Sequence, residues 1–347
     1  MRGSEAMHGF RARLSNAAPL AGNAAAGLLT ALPFLDGRLF FCAYPGLILF
    51  LALRFADGGR RFGRCYLYAF CFHLPLYSFF VNLYPFEGFG LSQSAAVAVT
   101  VLAVVGIPAV HALFFSAVFV LLRFVRRPAL LPLCAGALWV IFEWTLSLGT
   151  LAFPWGTLAA GQYLFLPAIQ SASLLGSYFV TLVIVTGCGY LALFVRRPAQ
   201  RRLLAAGCGI LAGNIALGAL LLALPAGETD TVRAAVVQGN IGTGEKWESG
   251  RAAEILALYA SLTEQAAQAG AELILLPETA VPVYFEEDGV LHQAYARIAA
   301  EYGCTIVIVT HNDAIKNMAH RILRLRDGQI VEDEANQQRV PARLLTW

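Results

Sequence analysis

Charge is what this sequence has least of. Of its 347 residues, 14% are charged and 58% hydrophobic, whereas soluble domains carry about a quarter charged residues and roughly half apolar ones. Lysine is nearly missing, with only Lys246 and Lys316. A formal net charge of +3 gives no footing for nucleic acid. The seven cysteines show neither CxxC spacing nor a cluster with histidine, so neither a disulfide framework nor a metal or other cofactor is expected. Six of them lie in or beside apolar segments, where cysteine behaves as a small hydrophobe. No P-loop and no "LSGGQ" are present. The nearest decoy, "GNIGTGEKW", puts Glu245 where lysine is required and no hydroxyl residue after Lys246, which excludes a nucleotide site of that type. No cleavage-site pattern follows the N-terminal "MRGSEAMHGFRARLSNAAPL", so the first apolar segment is expected to be a retained helix.

What the sequence has instead is long apolar runs. Crossing the hydrocarbon core takes about 20 mostly apolar residues, and seven blocks qualify: 17–35, 39–55, 64–85, 92–122, 129–147, 165–195 and 203–224. The fourth and sixth are long enough to tilt or to include interfacial turns. Arginines fall on alternate connections: Arg2, Arg11 and Arg13 before the first block; Arg54, Arg60, Arg61 and Arg64 after the second; Arg123, Arg126 and Arg127 after the fourth; Arg196, Arg197, Arg201 and Arg202 after the sixth. The other connections hold Arg38 beside Asp36, Glu87 in "YPFEGFGL", and the uncharged "GTLAFPWGTLAAGQ". By the positive-inside rule the N-terminus is cytoplasmic and everything after the seventh span lies outside.

Beyond residue 226 the pattern changes. "VRAAVVQ" reads as a buried strand, and "RAAEILALYASLTEQAAQAG" as a helix stopped by glycine. "AELILLPET" is a second strand, "GVLHQAYARIAAEYG" a second helix and "CTIVIVT" a third strand, which makes an α/β layer with side-by-side strands. In "LILLPETAVP" an apolar strand delivers Glu278 at its end, where α/β proteins place ligands and catalytic groups. A partly desolvated carboxylate there can act as a general base; the plainer alternative is a solvated glutamate in a turn. Inside the apolar half, Glu143 needs a partner, a water-lined cavity or a place near the outer interface, because a mid-bilayer charge costs roughly 2.5–3.5 kcal/mol. His73 and His111 are expected to be neutral, hydrogen-bonded and structural. The aromatic loops "YPFEGFG" and "AFPWG" fit interfacial anchoring.

"VVQGNI…EKW", a helix, and then "LILLPETAVP" resemble the start of the nitrilase-like domain of the apolipoprotein N-acyltransferase family. The segment "ALWVIFEWTLSLGTLAFPWGTLAAGQ", with Glu143, Trp144, Phe153, Pro154 and Trp155, resembles the same family's membrane region. The resemblance covers about residues 17 to 306. It implies a bacterial inner-membrane enzyme that moves an acyl chain from a phospholipid to a cysteine thiol, and then to the N-terminal cysteine amine of diacylglyceryl-modified apolipoproteins. The implied fold is a polytopic α-helical bundle of about seven spans carrying an αββα nitrilase-like domain on its periplasmic face. Of the family's Glu–Lys–Cys triad, Glu278 matches the base that activates the thiol. Lys246 lies on the wrong side of Glu278 in sequence, Lys316 lies in the tail, and no "CYE" elbow is present. Cys304 begins an apolar strand, a poor place for a nucleophile. Trp247 matches a tryptophan near the family's lipid-access region, and Glu143 and Trp155 are grouped with it as candidate lipid-access residues.

"VIVTHNDAIKNMAHRILRLRDGQIVEDE" is similar to the end of an ABC transporter ATPase, with His311 at the switch histidine. A switch histidine acts only beside a phosphate held by a P-loop, so no nucleotide function is expected. The resulting division is a membrane domain over 1–226, a truncated nitrilase-like domain over 227–306 and a foreign tail over 307–347. An N-acyltransferase homologue without its lysine and cysteine is expected to be inactive. The alternative is a non-catalytic membrane protein whose external stub binds lipoproteins or an envelope partner.

Overall fold

The computed structural model describes the chain apart from residues 1, 59–60, 87–89, 150–152, 225–229, 243–250, 278–289, 310–318, 327 and 337–347, and side chains apart from those and 2–17, 252 and 290–292. The chain divides into two compact units, 1–85 with 92–226, and 86–91 with 227–347.

In hydrocarbon, backbone N–H and C=O groups find no water, so a spanning segment has to satisfy them within its own helix. The first unit is built that way. Its helices are α1 (Arg2–Leu35), α2 (Ala43–Ala56), α3 (Phe62–Leu76), α4 (Gln93–Val101), α5 (Ile107–Phe119), α6 (Leu131–Thr145), α7 (Leu166–Ile169), α8 (Ala172–Leu175), α9 (Ser177–Arg196) and α10 (Arg201–Ala223). Among the described residues, seven helical stretches are long and apolar enough to cross a membrane. They run over Ala18–Leu35, Gly37–Ala56, Phe62–Leu83, Gln93–Phe124, Pro128–Thr145, Ser177–Arg196 and Arg201–Ala223, so all seven apolar blocks of the sequence carry one. The fold class expected from the sequence is found: a membrane helical bundle followed by a nitrilase-like α/β part.

Two blocks differ from uniform helices, each for a local reason. The fourth carries a π turn over Leu102–Gly106, just before Pro108. Proline has no N–H for the carbonyl four residues back, and the register shifts there. The sixth block begins as two short helices, α7 and α8, and only becomes a span at Ser177. Pro167 starts α7, and Gly176 at φ +79° separates α8 from α9. Asn214 of α10 serves this break: its Nδ2 donates to the Ala168 carbonyl at 2.7 Å, and its Oδ1 accepts from Ser171 Oγ at 2.7 Å.

The bundle packs on an aromatic centre. Phe50 stacks on Tyr68 with ring centroids 3.7 Å apart, Phe115 stacks on Phe119 at 4.3 Å, and Trp139 meets Phe115 edge-on at 4.9 Å. Small residues let backbones approach where lipid offers no hydrophobic drive for association. At Gly218 of α10 a Cβ would run into the carbonyl of Pro167.

The second unit holds a parallel sheet in the order β1–β2–β3, formed by Ala234–Val236, Leu273–Leu276 and Thr305–Ile308. Ala234 pairs with Leu273, and Leu273 with Thr305. The helix α11 (Ala252–Gln268) links β1 to β2, and α12 (Val290–Tyr302) links β2 to β3. Gly270 (φ +84°) and Gly303 (φ +66°) follow the two helix ends in the left-handed conformation that commonly stops a helix. Tyr259, Tyr295 and Ile298 share one core with Ile274, Leu276 and Cys304, so both helices cover the same sheet face. The reading of "VRAAVVQ" as a buried strand needs correction. β1 is an edge strand with Val236 75% exposed, because its alternate residues face away from the helices. A separate antiparallel hairpin pairs β4 (Arg321–Arg326) with β5 (Gln329–Ala335). It is laced by Arg321–Asp333 at 2.6 Å and Arg324–Glu332 at 2.8 Å.

The close approach at Gly218 yields a paired prediction within α10. Gly218→Ala should destabilise the purified protein by about 1–3 kcal/mol through overpacking. Gly213→Ala meets nothing within 4 Å and should leave stability unchanged or raise it by up to about 1 kcal/mol. Thermal unfolding in detergent compares the two; equal midpoints would contradict this packing.

Candidate functional site

The best-built polar site lies where α6 hands over to the loop before α7. Glu143 sits one turn from the end of α6, 2% exposed, facing into the bundle. Three donors meet its carboxylate: Trp139 Nε1 at 3.2 Å and the Leu158 backbone N–H at 2.8 Å, both on Oε1, and Thr181 Oγ1 at 2.9 Å on Oε2. One side chain thus ties together α6, the connecting loop and α9. The structure gives Glu143 the partners that the sequence called for, in a buried, hydrogen-bonded place.

A second anchor holds the same loop further on. Gln162 accepts from Tyr44 Oη at 3.0 Å and donates to the Phe40 carbonyl at 3.2 Å. On the α6 side of Leu158, Trp155 is 48% exposed. Its ring stacks on Phe153 at 5.7 Å and lies 5.2 Å from Phe79, while Phe153 packs on Tyr77 and Phe80. Gly156, at φ +88°, turns the chain between Trp155 and Leu158. The result is an aromatic surface on two anchored supports. Beneath it, Tyr77 Oη is 2.9 Å from His111 Nδ1, and His73 Nδ1 is 2.8 Å from the Ala69 carbonyl, so both histidines have the hydrogen bonds expected of them.

The structure thus brings Glu143 and Trp155 into one assembly, coupled through Leu158 and Gly156. Trp247 and Glu278 lie outside the described residues, as do Lys246, Lys316 and His311. The strand that leads to Glu278 is described: β2 is the central strand and ends at Leu276, directly before Pro277. Cys304 is 7% exposed, inside the core under the sheet. Among the described residues no group of three His, Cys, Asp or Glu side chains could hold a metal ion. Sequence reasoning missed Gln162, Thr181 and Asn214. The only signal each gave was a polar residue within an apolar run.

Comparison with known proteins places these features in a family. The family model described as the apolipoprotein N-acyltransferase N-terminal domain matches residues 26–190. The carbon-nitrogen hydrolase model matches residues 233–335. The two follow one another in the order of bundle and α/β sheet. The chain carries an apolipoprotein N-acyltransferase N-terminal domain followed by a carbon-nitrogen hydrolase domain. Curated apolipoprotein N-acyltransferases from three bacteria illustrate the likeness. The Gloeobacter violaceus protein is 38% identical over 154 residues, 43% of this chain and 29% of that protein. The Geobacter metallireducens protein is 31% identical over 159 residues, 44% of this chain and 30% of that one. The Coxiella burnetii protein is 29% identical over 210 residues, 58% of this chain and 42% of its own length. The chain therefore spans less than half the length of these N-acyltransferase relatives. The carbon-nitrogen hydrolase match runs through both strands of the β4–β5 hairpin, and the ATPase resemblance of the tail finds no support in these comparisons.

The geometry at Glu143 predicts how its charge is used. Glu143→Gln keeps an oxygen for Trp139 and Leu158 and turns an amide toward Thr181 Oγ1, which can accept, so stability should be close to wild type. Glu143→Ala strands at least the Trp139 and Leu158 donors, each costing about 1–3 kcal/mol, and should lower the thermal midpoint in detergent markedly. A Gln variant as damaged as the Ala variant would mean that the charge itself is required.

Proposed function

We propose that this chain carries the membrane domain and the base-bearing strand of an apolipoprotein N-acyltransferase. The activity of that family is to move an acyl chain from a phospholipid onto the N-terminal cysteine amine of a diacylglyceryl-modified apolipoprotein. The observation that carries the reading is the order of the two family matches along one chain, 26–190 and then 233–335. The multi-pass membrane character supports it. The proposed division keeps a membrane domain over 1–226 and a nitrilase-like part after it; the hydrolase match through residue 335 speaks against ending that part at 306 and against a distinct tail over 307–347.

In this reading the protein sits in the bacterial inner membrane with its N-terminus cytoplasmic and its nitrilase-like part periplasmic; the alternation of arginine-bearing connections supports that orientation. Glu278 is the general base, two residues beyond the central strand. Trp155 and Trp247 admit the lipid, and Glu143 acts through the loop it anchors. Replacing Trp155 by Ala should then weaken use of the acyl donor while leaving the fold intact.

The family's acyl-carrying thiol is not matched within these 347 residues, and the reading that they are inactive by themselves rests on that. The buried Cys304 supports this, and it favours the second reading, a non-catalytic membrane protein that binds lipoproteins. Incubating the purified chain with acyl-labelled phospholipid separates the two. We expect no hydroxylamine-labile label on Cys304; a thioester there would overturn the inactive assignment. Retention of lipoproteins without acyl transfer would favour the binding protein.

A further inference from the structure

At the opposite end of α6 from the aromatic loop, the bundle holds an unusual cation. Arg54, in the last turn of α2, is 2% exposed. Its Nη2 donates to the Phe119 carbonyl at 3.0 Å and its Nη1 to the Arg61 carbonyl at 3.3 Å, with Asp57 Oδ1 3.6 Å from Nη1. Its Nε is buried with no hydrogen-bond partner. A buried donor left unpaired is costly, and a single carboxylate at that distance compensates a guanidinium only weakly.

The group is not sealed in. Arg54 lines a cavity of about 380 Å³ together with Asp57, Leu122, Arg123, Val125 and Leu131. A second cavity of about 390 Å³ shares Ala56 and Asp57 with the first and is lined by Arg61 and Arg64. Among the described residues, four arginines thus line two adjoining spaces in which Asp57 is the one acid. The first cavity has an apolar wall and a basic floor. Guanidinium groups match the paired oxygens of a phosphate better than any other side chain.

We infer that these cavities form a site for a phosphate-bearing anion, of which the headgroup of an anionic phospholipid in the arginine-side leaflet is the form that also uses the apolar wall. α6 runs from Leu131 in that wall to Thr145 before the aromatic loop, about 20 Å at helical rise. The site is therefore separate from the lipid entry proposed above and does not depend on it. A lipid held here would join the ends of α2, α3 and α5.

The test uses the full chain, purified and delipidated in detergent, with Arg64→Gln/Arg123→Gln as the variant. Arg54 is left in place because its bonds to Phe119 and Arg61 hold helix ends together. By native mass spectrometry, wild type should retain phosphatidylglycerol in preference to phosphatidylcholine. Each basic residue near a lipid surface strengthens binding about fivefold, so the variant should lose roughly 25-fold in phosphatidylglycerol affinity and little for phosphatidylcholine. Inorganic phosphate is the second arm. If it raises the thermal midpoint of wild type as much as the lipid does, and not that of the variant, the ligand is the free anion. If only the lipid does so, it is the headgroup. No preference for phosphatidylglycerol, or equal retention by wild type and variant, overturns the site.

Discussion

Hydrocarbon offers no hydrogen-bond partners, and that constraint governs the first two-thirds of this chain. It makes each apolar block helical without any special sequence code, and it makes every departure from a straight helix demand a named partner. The break between α7 and α9 is tolerated because Asn214 reaches across from α10 to the Ala168 carbonyl and Ser171. Thr30 returns its hydroxyl to the Ala26 carbonyl, and Tyr68 then donates to Thr30 Oγ1 at 3.1 Å. Polar side chains in the bundle are few, and their partners mark where the structure departs from a set of greasy rods.

Glu143 is the strongest case of the same rule. A carboxylate in the bundle interior is stable only if its lone pairs are occupied, and the occupants here come from three separate elements. The Leu158 N–H matters most for the architecture, because it belongs to the loop and not to a helix. The carboxylate thereby fixes one point of a connection that its aromatic contacts and the Phe153 N–H to Leu146 carbonyl bond also hold, and Gln162 fixes another. Trp155, between them and α6, presents its ring from a support set by buried hydrogen bonds, not by the mobility usual of loops.

Much of this was legible in the sequence, for reasons that differ by element. The seven spans were readable because bilayer thickness sets their length and composition their position. The stops at Gly270 and Gly303 were readable because the left-handed residue at a helix end favours glycine. The partners of Glu143 were not readable, since Leu158 contributes only its backbone and Thr181 lies 38 residues away. Arg54 could be counted as one of a group of arginines marking a connection, but its burial depends on Phe119, 65 residues on. β1 misled because its alternating apolar residues look like core, whereas only the face toward α11 and α12 is covered among the described residues.

That uncovered face bears on how the α/β part works. Ala234, Val236, Leu273 and Leu275 pair side by side across β1 and β2 and point away from the helices, while Ile274 and Leu276 point toward them. A sheet with helices on one side only has one apolar face left to pack. In an αββα arrangement, which the family resemblance implies, that face meets a second sheet. The first three strands suffice to build one α/β layer and to bring the chain to Pro277, directly after its central strand. Cys304 is drawn into the helix-side core by the same alternation that buries Ile274, so strand geometry keeps its thiol on the covered face of the sheet.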